Sequence, residues 1–183
     1  MKINHSDTAL LVLDVQSNSF SGFPDSQPLI YNIQEAISKA RMVDIQVAYL
    51  KCSSEHANMP GDPGRRSPRR MFLERLPESG IHSAVAPIEG DIIFVKGPDS
   101  ILTGKDIDTV LGRRGFTKLA VTGYPTSGTV LNTVREIAER DYDLTVISDG
   151  CGDPETAVHH DLMTNTIPRL ARVLTARQWI ASL

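Results

Sequence analysis

Val121-Thr-Gly-Tyr-Pro-Thr-Ser-Gly-Thr-Val130 is the stretch of sequence whose reading decides the fold. The apolar run Lys118–Val121 leads into it as a strand. Gly128 to Arg140 leaves it with helical spacing, placing Val130, Val134, Ile137 and Ala138 on one stripe. Gly123 and Pro125 mark the tight turn between them. Backbone N–H groups at a helix start form a ready site for a carboxylate or an oxyanion. The plainer reading is a strand-to-helix turn with Ser127 as its N-cap.

Working outward, strand-like runs recur at Ala9–Leu13, Ile45–Leu50, Asp91–Val95 and Leu144–Ile147, with a short sixth strand near Arg172–Leu174. Gln27 to Arg41 places Ile30, Ile33, Ile37 and Ala40 on one helical face. Thr103 caps a further helix, with Asp106 in its first turn and Gly115 as its left-handed end. Asp161 to Leu170 reads as helical as far as Pro168. Strands alternating with helices predict an α/β fold: a three-layer α/β/α domain around a central parallel sheet of about six strands. A length of 183 residues suits one domain, 1–183, with a substantial core.

Composition narrows the function classes. Apolar residues make up 40% and charged residues 22%, as in ordinary soluble domains. A net charge of −3 gives no electrostatic case for a nucleic-acid or anionic-membrane partner. No apolar run approaches a bilayer span and no signal-like segment opens the chain, so a cytoplasmic location is expected. Cys52 and Cys151 are the two cysteines, and they read as free, reduced thiols. Cys151, in the loop just past Leu144–Ile147, lies where a parallel sheet offers its site. It reads more simply as a small thiol packed in that loop.

Two residues end strands where such sheets bind ligands. Asp14 closes the run Ala9-Leu-Leu-Val-Leu-Asp-Val-Gln16, and Lys96 closes Asp91-Ile-Ile-Phe-Val-Lys96. Burial favours a protonated carboxyl at Asp14 and a neighbouring ammonium favours its anion, so the pair suits a general acid or base. Taken singly, each is an ordinary residue at a strand end. One stretch breaks the alternation: Pro60-Gly-Asp-Pro-Gly64, then Arg65-Arg-Ser-Pro-Arg-Arg70, four arginines about a Ser-Pro that starts a short helix through Leu76. A solvated loop is its first reading, and a basic flap over an anionic substrate is the functional one.

Together these landmarks resemble the isochorismatase-like hydrolase superfamily over essentially the whole chain. They are Leu13-Asp-Val-Gln16, Val95-Lys96 followed by Ser100 and Gly104, Val121-Thr-Gly123, Thr126-Ser-Gly128, Thr133-Val-Arg-Glu136 and Arg140-Asp-Tyr142. The resemblance implies a Rossmann-like sheet, a homodimer or homotetramer, and a catalytic triad at Asp14, Lys96 and Thr129. Most members are cysteine amidohydrolases, and Thr129 stands where their nucleophilic cysteine does. It also implies substrate contacts from Gln16, Tyr124, Pro125, Ser127 and Gly128, and a cis bond at Tyr124–Pro125. In the amidases the residue at position 125 donates its N–H to the acyl oxyanion, which proline lacks. A threonine hydroxyl has a far higher pKa than a thiol, and no histidine motif stands by to activate it. The metal-binding histidines of the nicotinamidase branch have no convincing match in Ser53-Ser-Glu-His56, so neither metal nor cofactor is expected.

The expectation is a hydrolase of a small carboxylate- or amide-bearing metabolite, with Asp14 as general acid or base and Lys96 stabilising charge. Attack by water, or protonation of a vinyl ether as in the isochorismatases proper, is favoured over covalent attack by Thr129. The rival is a catalytically inactive protein of the same fold that binds a small anion or a protein partner.

Overall fold

A computed structural model describes residues 5–20, 26–52, 79–96 and 107–183. The readings at Thr103–Asp106, at the arginine segment and its short helix, and at Ser53–His56, Ser100 and Gly104 lie outside the described residues. Six strands form one sheet: β1 (Thr8–Leu13), β2 (Gln46–Cys52), β3 (Ile92–Lys96), β4 (Lys118–Gly123), β5 (Asp143–Cys151) and β6 (Arg172–Leu174). Their order is β3-β2-β1-β4-β5-β6 and every pairing is parallel. The predicted three-layer α/β/α architecture is the one observed. All six residues of β1 are buried, as expected of a parallel strand covered on both faces.

Side-chain alternation along β1 sorts the core into two halves. Leu11 and Leu13 pack with Val121, Val130, Val134 and Ile137 on the side of α2 (Leu131–Ala138). Leu10 and Val12 pack with Ile33, Ile37 and Trp179 beneath α1 (Ser26–Met42) and α4 (Ala176–Ala181). The predicted face of α1, Ile30, Ile33, Ile37 and Ala40, is buried throughout. On the α2 stripe Ala138 is half-buried, and Leu131 and Thr133 share the covered face instead. Gly115 takes the left-handed conformation expected of it, with φ 78°.

Most strand and helix ends move by one to three residues from the sequence reading, and three elements differ by more. The helix predicted at Asp161–Leu170 begins earlier, as α3 (Thr156–Asp161). It then widens to i→i+5 bonding over Leu162–Thr166 and tightens at Ile167–Arg169, where Pro168 is accepted because early helical positions need no N–H. α4 lies outside the predicted elements, although Thr175 and Gln178 form a reciprocal capping box at its start. β5 also runs on to Cys151, which is a strand residue and not a loop one. It does so through a bulge: β4 advances from Val121 to Gly123 while β5 advances from Val146 to Cys151. The Thr122 hydroxyl donates to Gly150 O at 2.6 Å, and a Cβ at Gly150 would stand 2.4 Å from Thr122 Oγ1. Only glycine fits there.

Candidate functional site

Strand order reverses between β1 and β4, and a sheet of this kind binds ligands at that switch point, beyond the strand C-termini. Asp14 and the Gly123–Val130 turn leave the sheet there, side by side. Asp14 has φ 51°, a left-handed conformation that aspartate tolerates better than most residues. Its amide donates to Leu50 O at 2.8 Å, while the Ser19 hydroxyl and the Gln16 amide donate to its carbonyl. The carboxyl is thereby turned off the strand and held, largely buried.

β4 meets it through Gly123, at φ 144°. A Cβ on Gly123 would lie 2.1 Å from Leu13 O, so glycine alone permits this approach. Tyr124 N then donates to Leu13 O at 2.9 Å and the Tyr124–Pro125 bond is cis. The chain winds through Thr126–Val130 in one wide i→i+5 turn, with Val130 N donating to Pro125 O, before α2 begins. That turn delivers Thr129 to Asp14. The Thr129 hydroxyl, buried, donates to Asp14 Oδ2 at 2.5 Å.

The amides of Thr126, Ser127 and Gly128 in this turn are committed within the fold. Pro125 has none. Thr126 N donates to Gly152 O at 2.7 Å, Ser127 N to Asp153 Oδ2 at 2.7 Å, and Gly128 N to Pro125 O at 3.3 Å. The N-cap expected at Ser127 is not formed: Pro125 stands at the cap position, without a side-chain hydrogen bond. No side chain of the turn caps it, and the buried Asp153 carboxylate arrives from the β5 loop to fill the place of an anion. Nothing local predicted this, because the capping group lies 26 residues away.

Gln16 is buried, and its amide is spent on backbone. Nε2 donates to Cys52 O and Ser79 O at 3.0 and 2.6 Å, and Oε1 accepts from Cys52 N at 2.9 Å. It pins the end of β2 beside Asp14. Tyr124 stacks at a tilt on Phe20, centroids 5.2 Å apart, and Phe20 meets His82 edge-on. Burial first, and the Asp153 charge second, push the Tyr124 phenol upward. Cys151 is buried in the core, and burial pushes its thiol up to about 12. A thiol held protonated at neutral pH is no displaced nucleophile. Lys96 ends β3, in register with Cys52; neighbouring strands are about 4.8 Å apart, so β3 runs roughly 10 Å across the sheet from β1. Phe20, Asp153 and His159, not singled out from sequence, surround the turn. Among the described residues no group of three or more His, Cys, Asp or Glu could hold a metal ion.

Residues 8–178 match the isochorismatase domain. The chain belongs to the isochorismatase family. An uncharacterized isochorismatase family protein of Escherichia coli O157:H7 is 25% identical to it over the full length of both chains. A ureidoacrylate amidohydrolase of Stutzerimonas stutzeri is 28% identical over 171 residues, 79% of this chain and 69% of that one. Among solved structures, a cysteine hydrolase from Pseudomonas syringae pv. phaseolicola superposes with a TM-score of 0.79 at 22% identity, covering 99% of this chain and 94% of the other. That likeness shows the fold. Family membership makes this isochorismatase-family protein a hydrolase acting on a small metabolite. Among the described residues, none of its helices is long and apolar enough to cross a membrane.

Proposed function

We propose that this protein hydrolyses a small carboxylate- or amide-bearing metabolite with Asp14 as general acid/base, Lys96 stabilising charge, and no covalent intermediate on Thr129. The observation that carries this reading is the commitment of the turn: Pro125, Thr126, Ser127 and Gly128 have no amide to offer an acyl oxyanion. Losing one such donor costs an enzyme about 10²–10³ in rate. By the resemblance Thr129 stands where the cysteine of the related amidases would, and a hydroxyl yields its proton to a carboxylate far less readily than a thiol does. The better use of Thr129 is to hold Asp14 Oδ2 and fix the carboxyl in place.

Chemistry that builds no oxyanion on this turn suits such a site. In vinyl-ether hydrolysis, Asp14 gives its proton to the terminal enolpyruvyl carbon. Water adds to the oxocarbenium carbon so formed, and the hemiketal falls apart to pyruvate and the alcohol, a proton returning to Asp14. The resemblance to ureidoacrylate amidohydrolases favours a second reading, in which water attacks an amide carbonyl and Asp14 takes its proton. The oxyanion is then left to Lys96. Gln16, by this assignment, positions the wall of the site and does not contact substrate; Tyr124 and Pro125 provide that contact.

Proton NMR of isochorismate, and separately of ureidoacrylate, incubated with the wild type and with Asp14→Asn, tests the proposal. Turnover of either by the wild type, lost in Asp14→Asn, is expected. Turnover that survives Asp14→Asn refutes the role of Asp14. Silence on both and on a wider amide and enol-ether panel supports the rival, an inactive protein that binds a small anion or a partner.

A further inference from the structure

Behind the turn that carries Thr129 lies a second polar cluster with no part in the reaction just described. Asp153, buried, bridges two elements: Oδ2 accepts from Ser127 N at 2.7 Å and Oδ1 from Glu155 N at 3.3 Å, at the entrance to α3. Thr126 is fully buried, and its hydroxyl lies 2.9 Å from Gly152 O and 2.9 Å from His159 Nδ1. One hydroxyl carries one proton, which restricts the arrangement. If Thr126 donates to Gly152 O, the histidine nitrogen must donate to Thr126. Together with Thr126 N donating to Gly152 O, that makes three hydrogen bonds. The reverse direction, Thr126 donating to His159, makes two. A fully buried hydroxyl favours the arrangement that leaves least unsatisfied.

The geometry points to His159 as a positioning residue: as the Nδ1–H tautomer it donates to Thr126 and clamps the Thr126–Val130 turn against the β5 loop, so that the Thr129 hydroxyl stays on Asp14. The path is short. His159 holds Thr126, Thr126 starts the wide turn, and Thr129 lies on that turn three residues later. Burial lowers the readiness of His159 to take a proton, the Asp153 charge opposing and His160 adding to the effect; a neutral ring with a fixed tautomer is consistent with that. The inference rests on Asp14–Thr129 being the working pair, and its test needs no substrate.

Long-range nitrogen–proton NMR of the imidazole rings is expected to show His159 with Nδ1 protonated and Nε2 bare; the opposite assignment overturns the donor direction. The second measurement compares His159→Asn, whose amide N–H falls where Nδ1–H was, with His159→Gln, whose amide falls nearer Nε2, and with His159→Leu. The reading is the slowly exchanging hydroxyl proton of Thr129 and the amide shifts of residues 126–130. Asn is expected to keep both near wild type, and Gln and Leu to lose the Thr129 proton and shift the turn. Retention in Leu, or Asn and Gln behaving alike, overturns the proposal. Should Leu not fold, the Asn–Gln pair still decides. A failed substrate screen would leave these spectra unchanged, which separates this inference from the reaction proposed above.

Discussion

Replacing Thr129 by valine removes one hydroxyl and almost no volume, so the effect can be tied to one hydrogen bond. That bond joins a buried hydroxyl to a buried carboxyl at 2.5 Å. Such a bond contributes roughly 0.5–1.5 kcal/mol with a neutral partner and roughly 1.5–3 kcal/mol with a charged one. In a domain of this size about 1 kcal/mol moves Tm by roughly 2–4 °C, so Thr129→Val should melt about 1–12 °C lower. If the bond only holds Asp14, the same energy bounds the loss of activity. At about 1.4 kcal/mol per decade, kcat falls by about twofold to about 150-fold. Removing a true nucleophile costs on the order of 10⁶, as in serine proteases. The assay is kcat on whichever substrate the NMR screen finds, with intact-protein mass spectrometry after acid quench. Thr129→Ser should stay near wild type, because it keeps the donor. An acyl adduct on the wild type, or a loss of 10⁵ or more in a folded Thr129→Val, would refute the reasoning.

Other variants probe separate links. Thr129→Cys should gain no amidase activity on simple carboxamides, measured by ammonia release, because Pro125, Thr126, Ser127 and Gly128 still offer no oxyanion donor. Gly123→Ala should cost about 3 kcal/mol or more in chemical denaturation, since the left-handed φ is strained and the new Cβ would meet Leu13 O at 2.1 Å. Thiol titration of the native protein should modify Cys52, half-buried, and leave Cys151 untouched until denaturant is added. His159 titrates below its ordinary value of 6.5 when folded, so the unfolded chain takes the proton first. Its contribution to stability is full above about 6.5 and is lost as pH falls from there through the folded value. Wild type should therefore lose more stability than His159→Asn between about pH 7 and 5, measured as paired Tm values.

Much of the fold was legible because it is written in local patterns. β1 is an unbroken apolar run, α1 shows its face at helical spacing, and β6 lies at the residues expected of it. The errors fall where tertiary contacts overrule local signals. β5 outruns its apolar stretch because the bulge lets Ser148, Asp149 and Gly150 pass before Cys151 pairs with Gly123. α4 did carry a signal, Thr175 three residues before Gln178, but six residues are too few for a periodic stripe to stand out. The wide turn at Thr126 was read as an ordinary helix start because i→i+5 bonding leaves no mark on composition.

At the site the same division has a chemical consequence. The positions of Asp14 and Thr129 could be anticipated from strand ends and from family likeness. What could not be anticipated is the use of the surrounding donors. An amide at a helix start looks available from sequence, and a local acid or serine is the usual group to satisfy it. Here Gly152 and Asp153, from another strand's loop, take Thr126 and Ser127. If Thr129 replaces a nucleophile, as the resemblance implies, that change taken alone could be reversed by one mutation. A turn whose donors are bonded into the fold could not, since freeing them means breaking the contacts that hold Thr129 against Asp14. On the proposed reading, the bonds that hold the turn are the same ones that withhold Thr126, Ser127 and Gly128 from an oxyanion, so a reaction run by Asp14 and water is favoured there over a cysteine mechanism awaiting its thiol.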